Sequence, residues 1–177
     1  MLAQQITRIA PILPDSRPLE LVELPVPEPR PGEILLAVHA CGVCHTELDE
    51  IEGRTPPDRL PRIPGHQVVG HLVQAGPGAD RYPSGERLGV AWIYSACGTC
   101  AHCRSGNENL CPQFRATGRD ADGGYAQYMT IPQEFAIPIP PEISDAAAAP
   151  LLCAGAVGYR SLALANMTDG RSLGFAG

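Results

Sequence analysis

The chain of 177 residues contains no lysine, so all thirteen of its basic residues are arginine. Without a lysine amine, Schiff-base catalysis and a Walker-type phosphate loop are excluded. Charged residues make up only 18% of the chain, the net charge is −6, and no basic run occurs. A nucleic-acid-binding surface needs clustered positive charge, so we expect no nucleic-acid partner.

Long apolar runs and targeting signals are also lacking. The longest apolar stretch, residues 146–159, is interrupted by Pro150 and is shorter than the roughly 20 residues that cross a bilayer. Residues 1–14 have neither the basic segment nor the apolar core of a signal peptide. These absences predict a cytoplasmic protein without a membrane partner.

Aromatic residues are scarce, at 5%, whereas glycine and proline are abundant, with 19 of each. A chain that is rich in turn residues and 44% hydrophobic is typical of a mainly β fold with a true core. Short apolar segments bounded by turn residues predict strands at 33–38, 67–73, 87–93 and 125–131. Together they predict a β-rich, barrel-like body within an α+β fold.

The C-terminal part has a different pattern. An alanine-rich helix is predicted from 145 to about 165, with Ser144 or Asp145 as its N-cap and a break at Pro150. Residues 172–177 then form a strand-like segment that ends in Gly-x-x-Gly. This segment is either the opening of a dinucleotide-binding unit or a C-terminal tail.

Seven cysteines without a secretion signal indicate metal or redox chemistry. Four of them, Cys97, Cys100, Cys103 and Cys111, follow the spacing C-x2-C-x2-C-x7-C. Four thiolates can close a tetrahedral shell around zinc, and such a shell has a structural role because no position stays open. An iron–sulfur cluster is the alternative, but the bacterial ferredoxin motif has three residues before its fourth cysteine, not seven.

The remaining metal-ligand candidates are Cys44, His66 and Cys153, which lie far apart in the sequence. Two cysteines and one histidine are a known catalytic zinc set, in which the fourth position stays open for water or substrate. Spacing alone leaves other interpretations open: His66 as a core or turn residue, and Cys153 as a small core residue. Cys41 is the odd thiol.

Four motifs occur in order: Gly42-Val43-Cys44-His45-Thr46-Glu47, Pro64-Gly65-His66-Gln67-Val68-Val69-Gly70, the spacing of the cysteines from 97 to 111, and Leu151-Leu152-Cys153-Ala154-Gly155. In these four motifs and their order, the chain resembles the zinc-dependent medium-chain alcohol dehydrogenases. The resemblance implies a GroES-like catalytic domain over 1–150, a partly open β-barrel with a structural zinc lobe at about 95–113. It also implies that 151–177 is the connecting helix and first strand of a Rossmann domain that binds NAD or NADP.

The resemblance assigns two zinc ions to each chain. Cys44, His66 and Cys153 would hold the catalytic zinc, and Cys97, Cys100, Cys103 and Cys111 the structural zinc. Thr46 would take the alcohol proton next to the coenzyme, and His45 would contact the coenzyme pyrophosphate unless it is a solvent-exposed loop residue. Glu47, where the family usually has Asp, would accept a hydrogen bond from the zinc-bound histidine.

Other positions depart from the family pattern. Gln67 replaces a common Glu, Asp49 stands where many members have the histidine that ends the proton relay, and Val157 replaces a Thr near the nicotinamide.

Two positions concern the substrate pocket. Trp92 matches an aromatic wall of the pocket, with core packing as the alternative, and Thr55 replaces a bulky aromatic in that pocket. His39, His71 and His102 match no motif and are expected to be structural or surface residues.

The implied reaction is the oxidation of a primary or secondary alcohol to an aldehyde or ketone, with hydride transfer to NAD or NADP. Related reductases of aldehydes, quinones or polyols are alternatives, although two zinc sets disfavour the zinc-free quinone reductases. A zinc-stabilised, non-catalytic fragment or binding module is a further alternative, since 177 residues contain no coenzyme domain and are expected to be inactive alone. The resemblance allows a homo-oligomer for a longer chain.

Overall fold

The structure, a computed structural model, describes residues 1–174, which form nine strands and four α-helices. Short 3-10 turns occupy Glu108–Leu110, Gln133–Phe135 and Ala149–Leu152. The strands are β1 (Leu2–Gln5), β2 (Glu20–Glu23), β3 (Glu33–Cys41), β4 (Val68–Ala75), β5 (Arg87–Val90), β6 (Ile93–Ser95), β7 (Arg115–Ala116), β8 (Tyr128–Pro132) and β9 (Ala136–Pro138). The helices are α1 (His45–Glu52), α2 (Ala101–Arg104), α3 (Asp145–Ala148) and α4 (Ala154–Leu164).

One antiparallel sheet, with strand order β8-β3-β4-β5-β9, carries the core. Its apolar side chains pack together on one face, and each fully buried one contributes about 1.5–3 kcal/mol to folding. The buried residues of this face include Ile34, Leu36, Val68, Leu88 and Ile131. The sheet curls into a half-barrel, which confirms the predicted mainly β fold.

The predicted strands correspond to β3, β4, β5 with β6, and β8. The segment 87–93 divides because the chain leaves the sheet at Ala91 and Trp92, and β6 then pairs with β7 at the base of the cysteine-rich lobe. Helix α1 was not predicted from the sequence. It has only eight residues, four of them acidic, so it lacks the apolar periodicity that identifies longer helices.

The predicted helix from 145 to 165 is interrupted. Ser144 caps α3 by accepting a hydrogen bond from the Ala147 N–H at 3.3 Å, and the 3-10 turn that contains Pro150 separates α3 from α4. Residues 171–174 are neither helix nor strand, and the rest of the strand predicted at 172–177 lies outside the described residues.

Within residues 1–174, no single helix is both long and apolar enough to span a membrane. The segments 145–152 and 154–164 meet the requirements of length and composition only when they are taken together. A bend of 51° separates these two segments.

The loop that carries His66 is held by a neighbouring glycine-rich segment. Gly123, Gly124 and Tyr125 donate backbone hydrogen bonds to the carbonyl oxygens of residues 63–65 at 2.8–3.0 Å. A Cβ atom on Gly123 would lie 2.1 Å from the backbone oxygen of Gly65. The two segments can therefore run this close together only because residue 123 has no side chain.

We expect Gly123→Ala to lower the free energy of unfolding by about 1–3 kcal/mol, because the backbone atoms it meets cannot rotate away. Urea unfolding measures the change. Gly158→Ala in α4 is the control, since a Cβ there has nothing within 4 Å. It is expected to stabilise the helix by about 0.5–1 kcal/mol. Equal stability of Gly123→Ala and the parent chain would contradict the expectation.

Candidate metal centres

Four cysteine thiols converge in the lobe between β6 and β7. The sulfur atoms of Cys97, Cys100, Cys103 and Cys111 all lie within 4.8 Å of one another. Cys103 Sγ lies 3.9 Å from Cys97 Sγ and 3.5 Å from Cys100 Sγ. Four sulfurs bound to one zinc ion at about 2.3 Å are about 3.8 Å apart. The lobe therefore has the geometry of a closed tetrahedral zinc site.

Backbone amides of the lobe point toward these sulfurs. The Cys100 N–H donates to Cys97 Sγ at 3.3 Å, and the Gln113 N–H donates to Cys111 Sγ at 3.3 Å. Hydrogen bonds from the backbone of Thr99 and Cys100 lower the pKa of the Cys97 thiol to about 6, whereas burial raises the pKa of the Cys103 thiol to about 12. The thiolate is the form that binds metal, and these amides favour it at Cys97.

A second group combines two cysteines and one histidine from three separate segments. Cys44 is the N-cap of α1, His66 lies in the loop before β4, and Cys153 lies between the last 3-10 turn and α4. Their ligand atoms lie within 4.8 Å of one another, and the two sulfurs are 3.9 Å apart. The fold thus brings together three residues that sequence spacing left unconnected.

The chemistry of this group fits zinc. His66 is 1% exposed, and its buried Nε2 atom has no hydrogen-bond partner among residues 1–174. A buried polar atom without a partner is costly, and a bound metal ion would satisfy it. Two thiolates and one imidazole are also a donor set that leaves the fourth zinc position open.

Glu47 holds two residues of this group at once. Its Oε1 lies 2.8 Å from His66 Nδ1, and its Oε2 accepts a hydrogen bond from the Cys44 N–H at 2.7 Å. The side chain is almost completely buried, so these contacts are shielded from water. Glu47 therefore fixes which His66 nitrogen faces the thiols.

We expect Glu47→Gln to weaken zinc binding at this group by about 10–100-fold, because the amide has no charge and cannot accept both hydrogen bonds. Competition with a chromophoric zinc chelator measures the affinity. Glu52→Gln is the matched control at the other end of α1, where the carboxylate contacts the Ile12 N–H and Arg54. Loss of affinity in both variants, or in neither, would contradict the assigned role of Glu47.

The other predicted catalytic residues follow Cys44 along α1. Thr46 Oγ1 lies 3.5 Å from Cys44 Sγ. The His45 side chain is 75% exposed, and its Nε2 lies 3.7 Å from Asp49 Oδ1. The same Asp49 oxygen lies 2.5 Å from Arg54 Nε, so this carboxylate contacts an arginine at the surface.

The residues predicted for the substrate pocket differ in their surroundings. The Trp92 ring stands edge-on to the His66 ring, with centroids 4.8 Å apart. Thr55 is exposed, and its N–H donates to the Asp49 carbonyl. Gln67 is buried at 2%, and its Oε1 comes so close to Gly42 that a Cβ there would lie 2.3 Å away. Trp92 and Gln67 thus flank the His66 loop, whereas Thr55 lies at the surface.

Glu50 is a buried acidic residue that the sequence reasoning missed. It lies one turn after Glu47 on α1, is 0% exposed, and neither of its carboxylate oxygens has a partner within the described part of the chain. Burial, followed by repulsion from Glu47, raises its pKa to about 8, with His66 and Arg119 acting in the opposite direction. The spacing of three residues from Glu47 was the available signal, but it has meaning only if α1 is known to be a helix.

Residues 30–141 match the family described as the alcohol dehydrogenase GroES-like domain. Over its whole length the chain is 48% identical to "Probable alcohol dehydrogenase AdhA" of Mycobacterium tuberculosis, of which it covers 52%.

Solved structures of other dehydrogenases and reductases share the fold, and two of them are an acetophenone reductase and a thermostable alcohol dehydrogenase. Acetophenone reductase from Geotrichum candidum, in complex with NAD, has a TM-score of 0.79 and 31% identity, over 94% of this chain and 48% of that one. The cobalt- and zinc-bound thermostable alcohol dehydrogenase from Pyrobaculum aerophilum has a TM-score of 0.79 and 28% identity. This match covers 90% of this chain and 48% of that one. The chain thus spans about half the length of the relatives it matches. The resemblance in the motifs is confirmed, and the chain belongs to the zinc-dependent medium-chain alcohol dehydrogenase family, whose GroES-like domain it carries.

Proposed function

We propose that this chain supplies the catalytic domain of an enzyme that oxidises primary or secondary alcohols to aldehydes or ketones, with NAD or NADP as hydride acceptor. The observation that carries the proposal is the convergence of Cys44, His66 and Cys153, with a buried His66 Nε2 that lacks a partner among residues 1–174. These three residues would hold a zinc ion, which would supply a Lewis acid for the substrate oxygen, and NAD or NADP would supply the hydride acceptor. The zinc-bound relative from Pyrobaculum aerophilum and the NAD-bound relative from Geotrichum candidum support this assignment.

The residues around Cys44 suit the proton transfer that alcohol oxidation requires. Thr46, whose hydroxyl lies 3.5 Å from Cys44 Sγ, is positioned to take the substrate proton. His45 and Asp49, 3.7 Å apart, extend from there to the surface and could pass the proton to solvent. The exposed imidazole of His45 is also the group that would meet a coenzyme pyrophosphate. Trp92, edge-on to His66, would form one wall of the substrate pocket, with Thr55 at its rim.

A coenzyme-binding domain is proposed to follow the catalytic domain, which spans 1–150, with 151–177 as the connection. Helix α4 supports this division because its apolar side chains are exposed: Val157 by 63%, Tyr159 by 78% and Leu164 by 71%. Apolar surface of this kind is typical of a contact with further protein. The cytoplasmic location and a homo-oligomeric assembly stay predictions.

Native mass spectrometry combined with turnover assays tests the proposal. We expect two zinc ions per chain, and reduction of NAD or NADP by the full-length protein with a panel of primary and secondary alcohols. His66→Ala is expected to lose one zinc ion and all turnover. His102→Gln, which changes an exposed histidine of α2, is expected to keep both. Two zinc ions without turnover of any alcohol would contradict the proposal and favour a zinc-stabilised, non-catalytic module.

A further inference from the structure

His39, His71 and Asp145 form a third cluster of metal-ligating side chains, separate from both cysteine sites. One ligand atom from each of the three lies within 4.8 Å of the others. His71 points to the same face of β4 as Val69, since the two are two positions apart and successive side chains of a strand alternate between its faces. Val69 packs against Ala148 of α3, so the cluster lies on the side of the sheet opposite to the main core.

A bulge in β3 places the two histidines side by side. Along the β3–β4 pair, Val38 is opposite Gly70 and Ala40 is opposite Val69, so His39 is an extra residue in β3. An extra residue in one strand bends it locally and re-aims the side chain. The centroids of the His39 and His71 rings lie 4.5 Å apart as a result.

The distances within the cluster suit a small divalent ion. His39 Nδ1 lies 3.4 Å from Asp145 Oδ2. Two nitrogen or oxygen ligands that bind one zinc ion at about 2.0–2.1 Å in tetrahedral geometry are about 3.4 Å apart. The pair is therefore already at the separation that a shared ion requires.

Hydrogen bonds outside the cluster orient two of its members. His71 Nδ1 lies 3.1 Å from the carbonyl oxygen of Gly85. When Nδ1–H donates to this oxygen, the lone pair of Nε2 is free for a metal, which is the usual arrangement of metal-binding histidines. Arg87 Nε donates a hydrogen bond to Asp145 Oδ1 at 2.7 Å, and the other carboxylate oxygen, Oδ2, faces His39.

We infer that His39, His71 and Asp145 bind a third divalent transition-metal ion, of the class represented by Zn²⁺. Imidazole and carboxylate donors suit such ions. The His39 side chain is 47% exposed, so the ion can enter from solvent and water can complete its coordination. Because the cluster has no thiolate and Arg87 places a positive charge nearby, this site fills only after both cysteine sites.

The test is a Zn²⁺ titration of the chain whose two cysteine sites already hold zinc. We expect calorimetry to detect a third equivalent, and the side-chain ¹⁵N resonances of His39 and His71 to shift while those of His102 stay in place. His39→Ala and His71→Gln should each weaken binding of the third equivalent by at least about tenfold. His102→Gln is the matched control and should bind it like the parent chain.

Absence of a third equivalent would overturn the inference. So would a third equivalent that leaves the His39 and His71 resonances unchanged, or one that both variants bind with unchanged affinity. If His71→Gln does not fold, the titration of the parent chain and of His39→Ala decides, since His39 is an exposed residue at a bulge.

Discussion

Replacing Cys103 by serine is expected to remove one zinc ion per chain and to unfold the lobe over residues 95–113. Cys103 is buried and its sulfur lies within 4 Å of those of Cys97 and Cys100. Regular structure in the lobe is limited to the four residues of α2 and one 3-10 turn. Structural zinc sites provide about 10–16 kcal/mol of apparent binding free energy. Because a whole domain is stable by only about 5–15 kcal/mol, no other contact in the lobe can replace the metal.

Native mass spectrometry and limited proteolysis check this prediction together. The variant should carry one zinc ion fewer and should be cleaved within the lobe, whereas the sheet resists cleavage. Cys41→Ala is the control, because Cys41 belongs to neither ligand group and burial raises its pKa to about 12, which keeps it a neutral thiol. A Cys103→Ser protein with full zinc content and parent-like resistance would show that the thiols are not the ligands that hold the lobe.

The parts of the molecule that could be predicted from sequence are those with local signals. The cysteine lobe was found because all its ligands lie within 15 residues, so their spacing alone describes the site. Strands β3 and β4 were found because their apolar segments are bounded by turn residues. Glu47 was expected near His66 only through the motif that it shares with a family, since nothing in its own neighbourhood indicates burial.

The parts that spacing and periodicity could not predict depend on contacts between distant segments. Cys44, His66 and Cys153 were grouped only through the family resemblance, because α1, the loop before β4 and the start of α4 meet in space and no spacing rule covers 109 residues. His39 had no motif because its position beside His71 results from a bulge between paired strands. The burial of Glu50 follows from the way α1 packs, and α1 was itself too short to be recognised.

Glu50→Gln is expected to stabilise the protein at neutral and alkaline pH and to have little effect near pH 5. Glu50 is 0% exposed without a partner for its oxygens among residues 1–174, and burial raises its pKa from 4.5 to about 8. Between these two values the folded protein holds a proton that the unfolded chain has lost. The folded state therefore loses stability as the pH rises, by about 1.4 kcal/mol per pH unit, and the loss ends near pH 8. Glutamine has the shape of the protonated acid and does not ionise, so the variant does not lose this stability as the pH rises.

Urea unfolding of the parent chain and the variant at pH 5, 6, 7 and 8, at saturating zinc, measures the difference. We expect the variant to be more stable by on the order of 3 kcal/mol at pH 7. Glu52→Gln is a control of opposite sign, because the Ile12 N–H and Arg54 hold the pKa of Glu52 below its usual value. Replacing the Glu52 carboxylate by an uncharged amide should therefore destabilise the protein. A difference between the parent chain and Glu50→Gln that stays constant with pH would contradict the expectation.

The zinc ions should not reverse this result. Two thiolates, from Cys44 and Cys153, neutralise a divalent ion, so metal at that group adds little net field at Glu50. Direct evidence comes from the ¹³C resonance of the Glu50 carboxyl, which should titrate near pH 8, whereas an exposed glutamate titrates near 4.3. A Glu50 resonance that titrates in the ordinary acidic range would mean that water reaches this carboxylate. A titration near pH 8 would instead mean that the protein keeps, next to His66, a buried acid whose raised pKa lowers stability at neutral pH. Enzymes keep such groups where a shifted pKa serves the reaction.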